Sequence, residues 1–194
     1  YLTITGLYKD KHVTLCSHGV GASGDSVCFQ DLFRAKVKNI IRAGTCGSLQ
    51  NHIKDGDIII STSAVREDGT TSALAPIEYP AASNHDVINS LHKASINYSD
   101  KIHTGITITT SSFSPELIPN NYKLWSDAGV LAVEMEQAVL LVLASLKHIR
   151  AGGLFVSDGY TFNDKQYDPH RNIIHQSVNS MLLIALDALV DLIL

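Results

Sequence analysis

Charge is the scarcest ingredient of this 194-residue chain: Asp, Glu, Lys and Arg together make up 18% of it, against 45% hydrophobic residues. An average soluble domain carries about 25% charged residues, so a disordered or heavily solvated polypeptide is excluded. Fifteen Lys and Arg against nineteen Asp and Glu leave a formal charge of −4, and no basic run or stripe occurs. A nucleic-acid partner is therefore not expected, because phosphate-tracking surfaces concentrate positive charge on one face. Long uninterrupted apolar runs are missing too. The longest nearly uncharged stretch, residues 173–194, is broken by His175, Gln176, Asn179, Asp187 and Asp191. Its periodicity sets Val178, Met181, Leu182, Ala185, Leu189 and Leu192 on one side, which predicts an amphipathic core helix and no membrane partner. Cysteine is limited to Cys16, Cys28 and Cys46, an odd number in apolar or glycine-rich settings without metal-ligand spacing. Reduced thiols, a cytoplasmic location and no bound metal are the expectation. Neither an initiator Met nor a signal-peptide architecture opens the chain. Tyr1, Thr3 and Thr5 alternate with Leu2 and Ile4 from the first residue, which predicts that the sequence begins inside a domain.

What is present is an alternation of strand-length apolar runs with helix-length periodic segments. Strands are predicted at 12–16, 39–43, 57–62, 104–110, 130–133 and 153–157, and helices at 23–34, 85–97, 136–146 and from 173 to the C-terminus. No repeat, low-complexity tract or linker interrupts them, so residues 1–194 read as one domain. Strands alternating with helices require crossover connections. The predicted class is therefore α/β, a single domain with a mostly parallel or mixed central sheet flanked by helices. Ligands of such sheets bind outside the carboxyl ends of the strands, and the informative residues are expected just after each one.

Four segments at those ends could carry chemistry. SHGVG at 17–21 is a glycine-rich turn opening a helix; its amides could face an anion or a sugar, or its glycines could serve sterics alone. His18 fits a loop hydrogen-bonder at least as well as a catalyst. In RAGTCGSL at 42–49, an Arg at the end of an apolar strand adjoins glycines and hydroxyls. A guanidinium fork matches a phosphate, although an Arg paired to a carboxylate would read the same way. VEME at 133–136 brings Glu134 and Glu136 to a strand-helix junction, where they could cap the helix or accept hydrogen bonds from sugar hydroxyls. SDG at 157–159 puts Asp158 at a sheet mouth, where desolvation could raise its pKa and make it a proton donor, or where it simply turns the chain.

Taken in this order, SHGVG, RAGTCGSL, VEME and SDG resemble the purine nucleoside and uridine phosphorylase family, as do VREDG at 65–69 and APIEYPA at 75–81. The resemblance runs from Tyr1 to the C-terminus. It lacks the N-terminal strand, the glycine-arginine phosphate loop and the further arginine with which family members begin. The loop beyond Asp158 and YKLWSDAGVLAVEME at 122–136 look most like the hexameric phosphorylases of protozoan parasites. By this resemblance Arg42 and Thr45, with amides near Gly44, bind phosphate, and Val20 touches the nucleoside. Phe113 packs against the base, unless it is an ordinary core Phe. Val133, Glu134, Met135 and Ser157 belong to the nucleoside site, Glu136 accepts the ribose hydroxyls, and Asp158 protonates N7 of a departing purine. Arg171 lies in a loop where some relatives place an assisting Arg, but the loop length differs and no role is assigned to it.

Departures from the family pattern speak to the base. Uridine phosphorylases carry a Gln and an Arg where this chain has Leu117 and Pro119, neither of which can read a uracil edge through its side chain. They also have an Asn-Arg pair in place of Ser157-Asp158. APIEYPA lies closer to the uridine branch. The resemblance therefore implies reversible phosphorolysis of inosine or guanosine to free base and ribose 1-phosphate, with phosphate as co-substrate and no metal or organic cofactor. Rival readings are a uridine phosphorylase, a nucleosidase of the same fold, against which Arg42 speaks, and a nucleoside-binding protein without turnover. A homo-oligomer built from dimers, up to a hexamer, is also implied, with Phe113 and residues 134–136 near the subunit boundary.

Overall fold

The computed structural model describes residues 2–99, 101–114, 117–162 and 171–193. Strand β1 (Thr3–Tyr8) reverses into β2 (Lys11–Cys16) through Lys9 and Asp10, both at positive φ, the geometry of a tight type I′ hairpin. The pair forms an antiparallel ribbon outside the main sheet. Next come α1 (Ala22–Arg34), β3 (Asn39–Ser48), β4 (Ile58–Glu67), α2 (His85–Ser95) and β5 (Ile102–Thr110). The chain ends with α3 (Tyr122–Asp127), β6 (Ala132–Glu134), α4 (Gln137–Leu146), β7 (Arg150–Tyr160) and α5 (Asn172–Asp191). Strands β3, β6, β5, β4 and β7 close, in that order, into a barrel. Its pairings are parallel at β3/β7, β4/β5 and β5/β6 and antiparallel at β3/β6 and β4/β7. A mixed sheet flanked by helices was the expected class; its closure was not anticipated, nor was the separation of residues 12–16 from it.

Side-chain alternation along the strands sorts the core into layers. Ile59 of β4 and Phe155 of β7 cluster inside the barrel with Cys46 and Ala132. Their neighbours Ile58, Ile60, Leu154 and Val156 pack outward against α2 and α5. Across the barrel, α1 and α4 form the other cover, and α4 is buried from Gln137 through Ala144. By length and composition α5 could cross a membrane, and here it lies against α2, β3 and β7. Its buried row is Ile174, Met181, Ile184, Ala185 and Ala188, whereas Leu182 is 43% exposed. Of the predicted stripe, Met181, Ala185 and Leu192 are buried and Val178 packs against the same core, while Leu182 turns to the surface: α5 is apolar on several sides, and periodicity alone leaves open where the covered face ends.

Three strands run past their expected ends: β4 reaches Glu67 alongside β5, and the other two extensions shape the site. β3 runs on from Ala43 to Ser48, and β7 from Ser157 to Tyr160, because the two pair in parallel along the barrel wall from Asn39↔Arg150 to Ser48↔Tyr160. Glycines and hydroxyls that read locally as a turn are held in strands by that ladder.

Candidate active site

A cavity of about 770 Å³ opens at the carboxyl ends of β3, β6 and β7, bounded by the 17–21 loop, Phe113 and Arg171. That is a volume suited to a small organic ligand. The β3/β7 ladder explains how Asp158 reaches it. Cys46 pairs with Ser157 and Gly47 with Gly159, so Asp158 is the extra residue of a β-bulge. Bulges bend a strand and re-aim a side chain. Asp158 accordingly lines the cavity although only 7% exposed. Ser157 does not line it: it is fully buried, its backbone is engaged with Gly56 and Asp57, and its Oγ has no hydrogen-bond partner among the described residues. Ser157 is therefore displaced from the predicted site by the alternation that precedes the bulge.

Arg42 is rooted lower down, 7% exposed, its guanidinium 4.9 Å from the centre of the Phe155 ring. Nη1 lies 3.0 Å from Glu134 Oε2, and Nη2 donates to Glu136 Oε2. The carboxylate-paired arrangement is thus the one observed. Gly44 leaves it room, since a Cβ there would come to 3.3 Å from Arg42 Nη2, a tight contact. Glu134 accepts from the Thr109 hydroxyl and from the backbone amides of Glu136 and Gln137, at 2.7 Å each, so it also caps α4. Burial pushes the Glu134 carboxyl above its ordinary value, while Arg42 and the hydrogen bonds oppose that shift. Glu136 Oε1 accepts the Gly21 amide at 2.6 Å, tying the 17–21 loop to the junction of β6 and α4. A carboxylate offers about four acceptor positions, and those two bonds leave room for more.

His18 behaves as a hydrogen-bonder: its Nδ1 is 2.6 Å from Oδ1 of Asp25, which is wholly buried on α1. Burial pushes the Asp25 carboxyl up, with His18 drawing it back down. Phe113 is 72% exposed and Val20 79%, and both line the cavity, so Phe113 is not a core residue. Of the predicted site residues, Val20, Arg42, Gly44, Thr45, Phe113, Val133, Glu134, Met135, Glu136 and Asp158 share this one space. Leu117 lies outside it, 91% exposed. Arg171 closes one side, pairing with Asp55 and donating to the Asp158 carbonyl at 2.6 Å.

Asp55, Thr110, Tyr122, Tyr160 and Thr161 also line the cavity without having been singled out in the sequence. Thr110 is the last residue of β5 and was within reach of the strand-end rule. Tyr160 and Thr161 became visible only with the true length of β7. Among the described residues no group of three or more His, Cys, Asp or Glu is arranged to hold a metal ion.

Comparison with known proteins places the chain in a family. The family model of the phosphorylase superfamily matches residues 1–190. A purine nucleoside phosphorylase of Plasmodium falciparum (isolate 3D7) is 36% identical over 190 residues, covering 97% of this chain and 78% of the relative. A uridine phosphorylase of Haemophilus influenzae is 32% identical over 160 residues, covering 76% of this chain and 64% of the relative. The crystal structure of purine nucleoside phosphorylase from Toxoplasma gondii in complex with immucillin-H superposes with a TM-score of 0.92 at 28% identity, covering 97% of this chain and 77% of that one.

Proposed function

The chain belongs to the phosphorylase superfamily, and from that membership we propose that it catalyses the reversible phosphorolysis of purine nucleosides, inosine or guanosine, to free base and ribose 1-phosphate. The observation that carries the reading is the convergence of β3, the β6–α4 junction and the bulged end of β7 on one cavity. A phosphorolytic site must hold phosphate beneath C1′, grip the ribose as positive charge develops on it, and relieve negative charge on the departing base. Thr45, the amides near Gly44 and Arg42 take the phosphate. Glu136, oriented by Arg42 and the Gly21 amide, accepts the ribose hydroxyls on its remaining acceptor positions. Asp158 donates a proton to N7 of the purine as the glycosidic bond breaks. Val20, Phe113, Val133 and Met135 supply the apolar walls against base and sugar. No metal or organic cofactor enters this scheme.

Purine over uracil is supported by Asp158, which lines the cavity at the position where the uridine branch carries the Arg of its Asn-Arg pair. We place the enzyme in purine salvage in the cytoplasm, as a hexamer assembled from dimers. In support of assembly, Leu2, Ile4, Leu7 and Leu15 of the ribbon are all more than half exposed. An absorbance assay with inosine, guanosine and uridine, each with and without phosphate, tests the activity. Phosphate-dependent cleavage of the purine nucleosides is expected. Faster cleavage of uridine overturns the purine assignment, phosphate-independent cleavage favours a nucleosidase, and binding without turnover overturns the enzyme reading.

A further inference from the structure

Cys16 closes β2 and Cys28 lies on α1, and between them runs the loop that carries His18, Gly19 and Val20 into the cavity. Their sulfur atoms are 3.5 Å apart. A disulfide needs about 2.05 Å, so closing the pair takes a movement of about 1.5 Å. The molecule is built to yield on one side only. Cys28 is 3% exposed and anchored in α1 beside the equally buried Phe29. Cys16 is only partly buried and ends a ribbon outside the barrel. Gly19 and Gly21, at φ of 90° and 93°, have open space where a Cβ would stand, so the intervening loop can change direction without a clash.

We propose that Cys16 and Cys28 form a reversible intramolecular disulfide when the protein meets a hydroperoxide, and that this bond re-sets the 17–21 loop at the cavity mouth. In the first step the partly accessible Cys16 thiol attacks the peroxide, giving Cys16 sulfenic acid and, with hydrogen peroxide, one water. In the second, Cys28 sulfur attacks Cys16 sulfur: the S–S bond forms, the S–O bond breaks, and the departing hydroxide leaves as water with the Cys28 proton. Two thiols lose two electrons and the peroxide gains them. Burial, followed by the adjoining Cys16 thiol, pushes the Cys28 thiol up to about 12, so Cys28 is not the thiol that meets the peroxide; its part in the second step rests on its 3.5 Å contact with the Cys16 sulfur. Pulling Cys16 toward α1 strains the Gly21 amide bond to Glu136 and the His18 contact with Asp25. The consequence for turnover rests on the proposed phosphorylase activity; the bond itself does not.

Trypsin cleaves after Lys11 and Arg34, so residues 12–34 form one peptide containing both cysteines, and Cys46 falls on another. The reduced protein is treated with hydrogen peroxide, its remaining thiols are alkylated, and the digest is weighed. The 12–34 peptide should lose about 2 Da and accept no alkyl group, while Cys46, 4% exposed, stays alkylatable after unfolding. Phosphorolysis should fall about 10- to 100-fold, the scale set by a misplacement near 1 Å, and return on adding a dithiol. Cys16→Ser and Cys28→Ala should each keep basal activity and resist the peroxide. Two alkylated thiols in the oxidised peptide, or Cys16 sulfinic acid beside a free Cys28, overturns the disulfide. A disulfide with unchanged turnover overturns its action on the loop. A reduced chain inactive toward every nucleoside overturns the proposed function instead, and the mass loss still decides the pair.

Discussion

Asp158 and Arg42 show how single residues change meaning once their neighbours are known. Asp158 reaches the cavity because the β3/β7 register slips by one residue between Cys46 and Gly47. Asp158→Ala should lower kcat on inosine about 10- to 1000-fold with little change in KM, since a proton donor acts mainly in the transition state. Steady-state kinetics showing only a raised KM would remove it from that role. Arg42 holds two buried carboxylates as well as its proposed phosphate. Arg42→Ala should therefore weaken phosphate binding in calorimetry and leave hypoxanthine binding nearly intact. Because it strands Glu134 and Glu136 without their cation, it should also cost about 3–5 kcal/mol in urea unfolding. Equal losses for phosphate and hypoxanthine would make the residue structural only. The choice between anion fork and ion pair could not be read locally, because the partners lie more than ninety positions downstream, as the 94-residue separation from Glu136 shows.

At the scale of elements, the β1–β2 ribbon is held to the body by Asp187 of α5. Tyr8 and Lys9 donate to its Oδ1 at 2.8 and 2.6 Å, and Tyr98 donates to its Oδ2 at 2.8 Å. Burial works to raise the Asp187 carboxyl, but these three donors together bring it below its ordinary value. A carboxyl with a folded pKa below its unfolded one stabilises the fold above the unfolded value, and that contribution is lost as pH falls through the folded value. The ribbon should therefore loosen on acidification below about pH 4, ahead of the barrel. Asp187→Asn should produce the same loosening at neutral pH, seen as faster amide exchange in residues 3–16 with barrel amides unchanged. Uniform protection in the variant would refute the anchor. Elements with a strong period, such as α1, α2 and α4, were legible within about two residues of their bounds. β3 and β7 were not, since their glycine-rich ends are strands only by virtue of each other.

For the whole molecule, the exposed apolar residues of the ribbon and of α5 argue for association. A full-length preparation should run in light scattering at micromolar concentration as a multiple of the dimer mass, and inosine turnover per chain should fall on dilution below the dimer's dissociation constant. A monomer mass with full activity would contradict the assembly.

Composition and spacing by themselves determined the α/β class and the exclusion of a basic nucleic-acid surface, and they pointed to Arg42 with Gly44 and Thr45 after it, to Glu134 and Glu136, and to Asp158, because motifs at strand ends are written in consecutive positions; Val20, Phe113, Val133 and Met135 came from the family resemblance, and all ten line the cavity. Tertiary structure alone decided that the sheet closes, that Ser157 turns away while Asp158 enters, and that Arg42 is clasped by Glu134 and Glu136. Each of those outcomes depends on segments far apart in the chain, and a bulge, a closing strand pair or an ion pair is decided only where those segments meet.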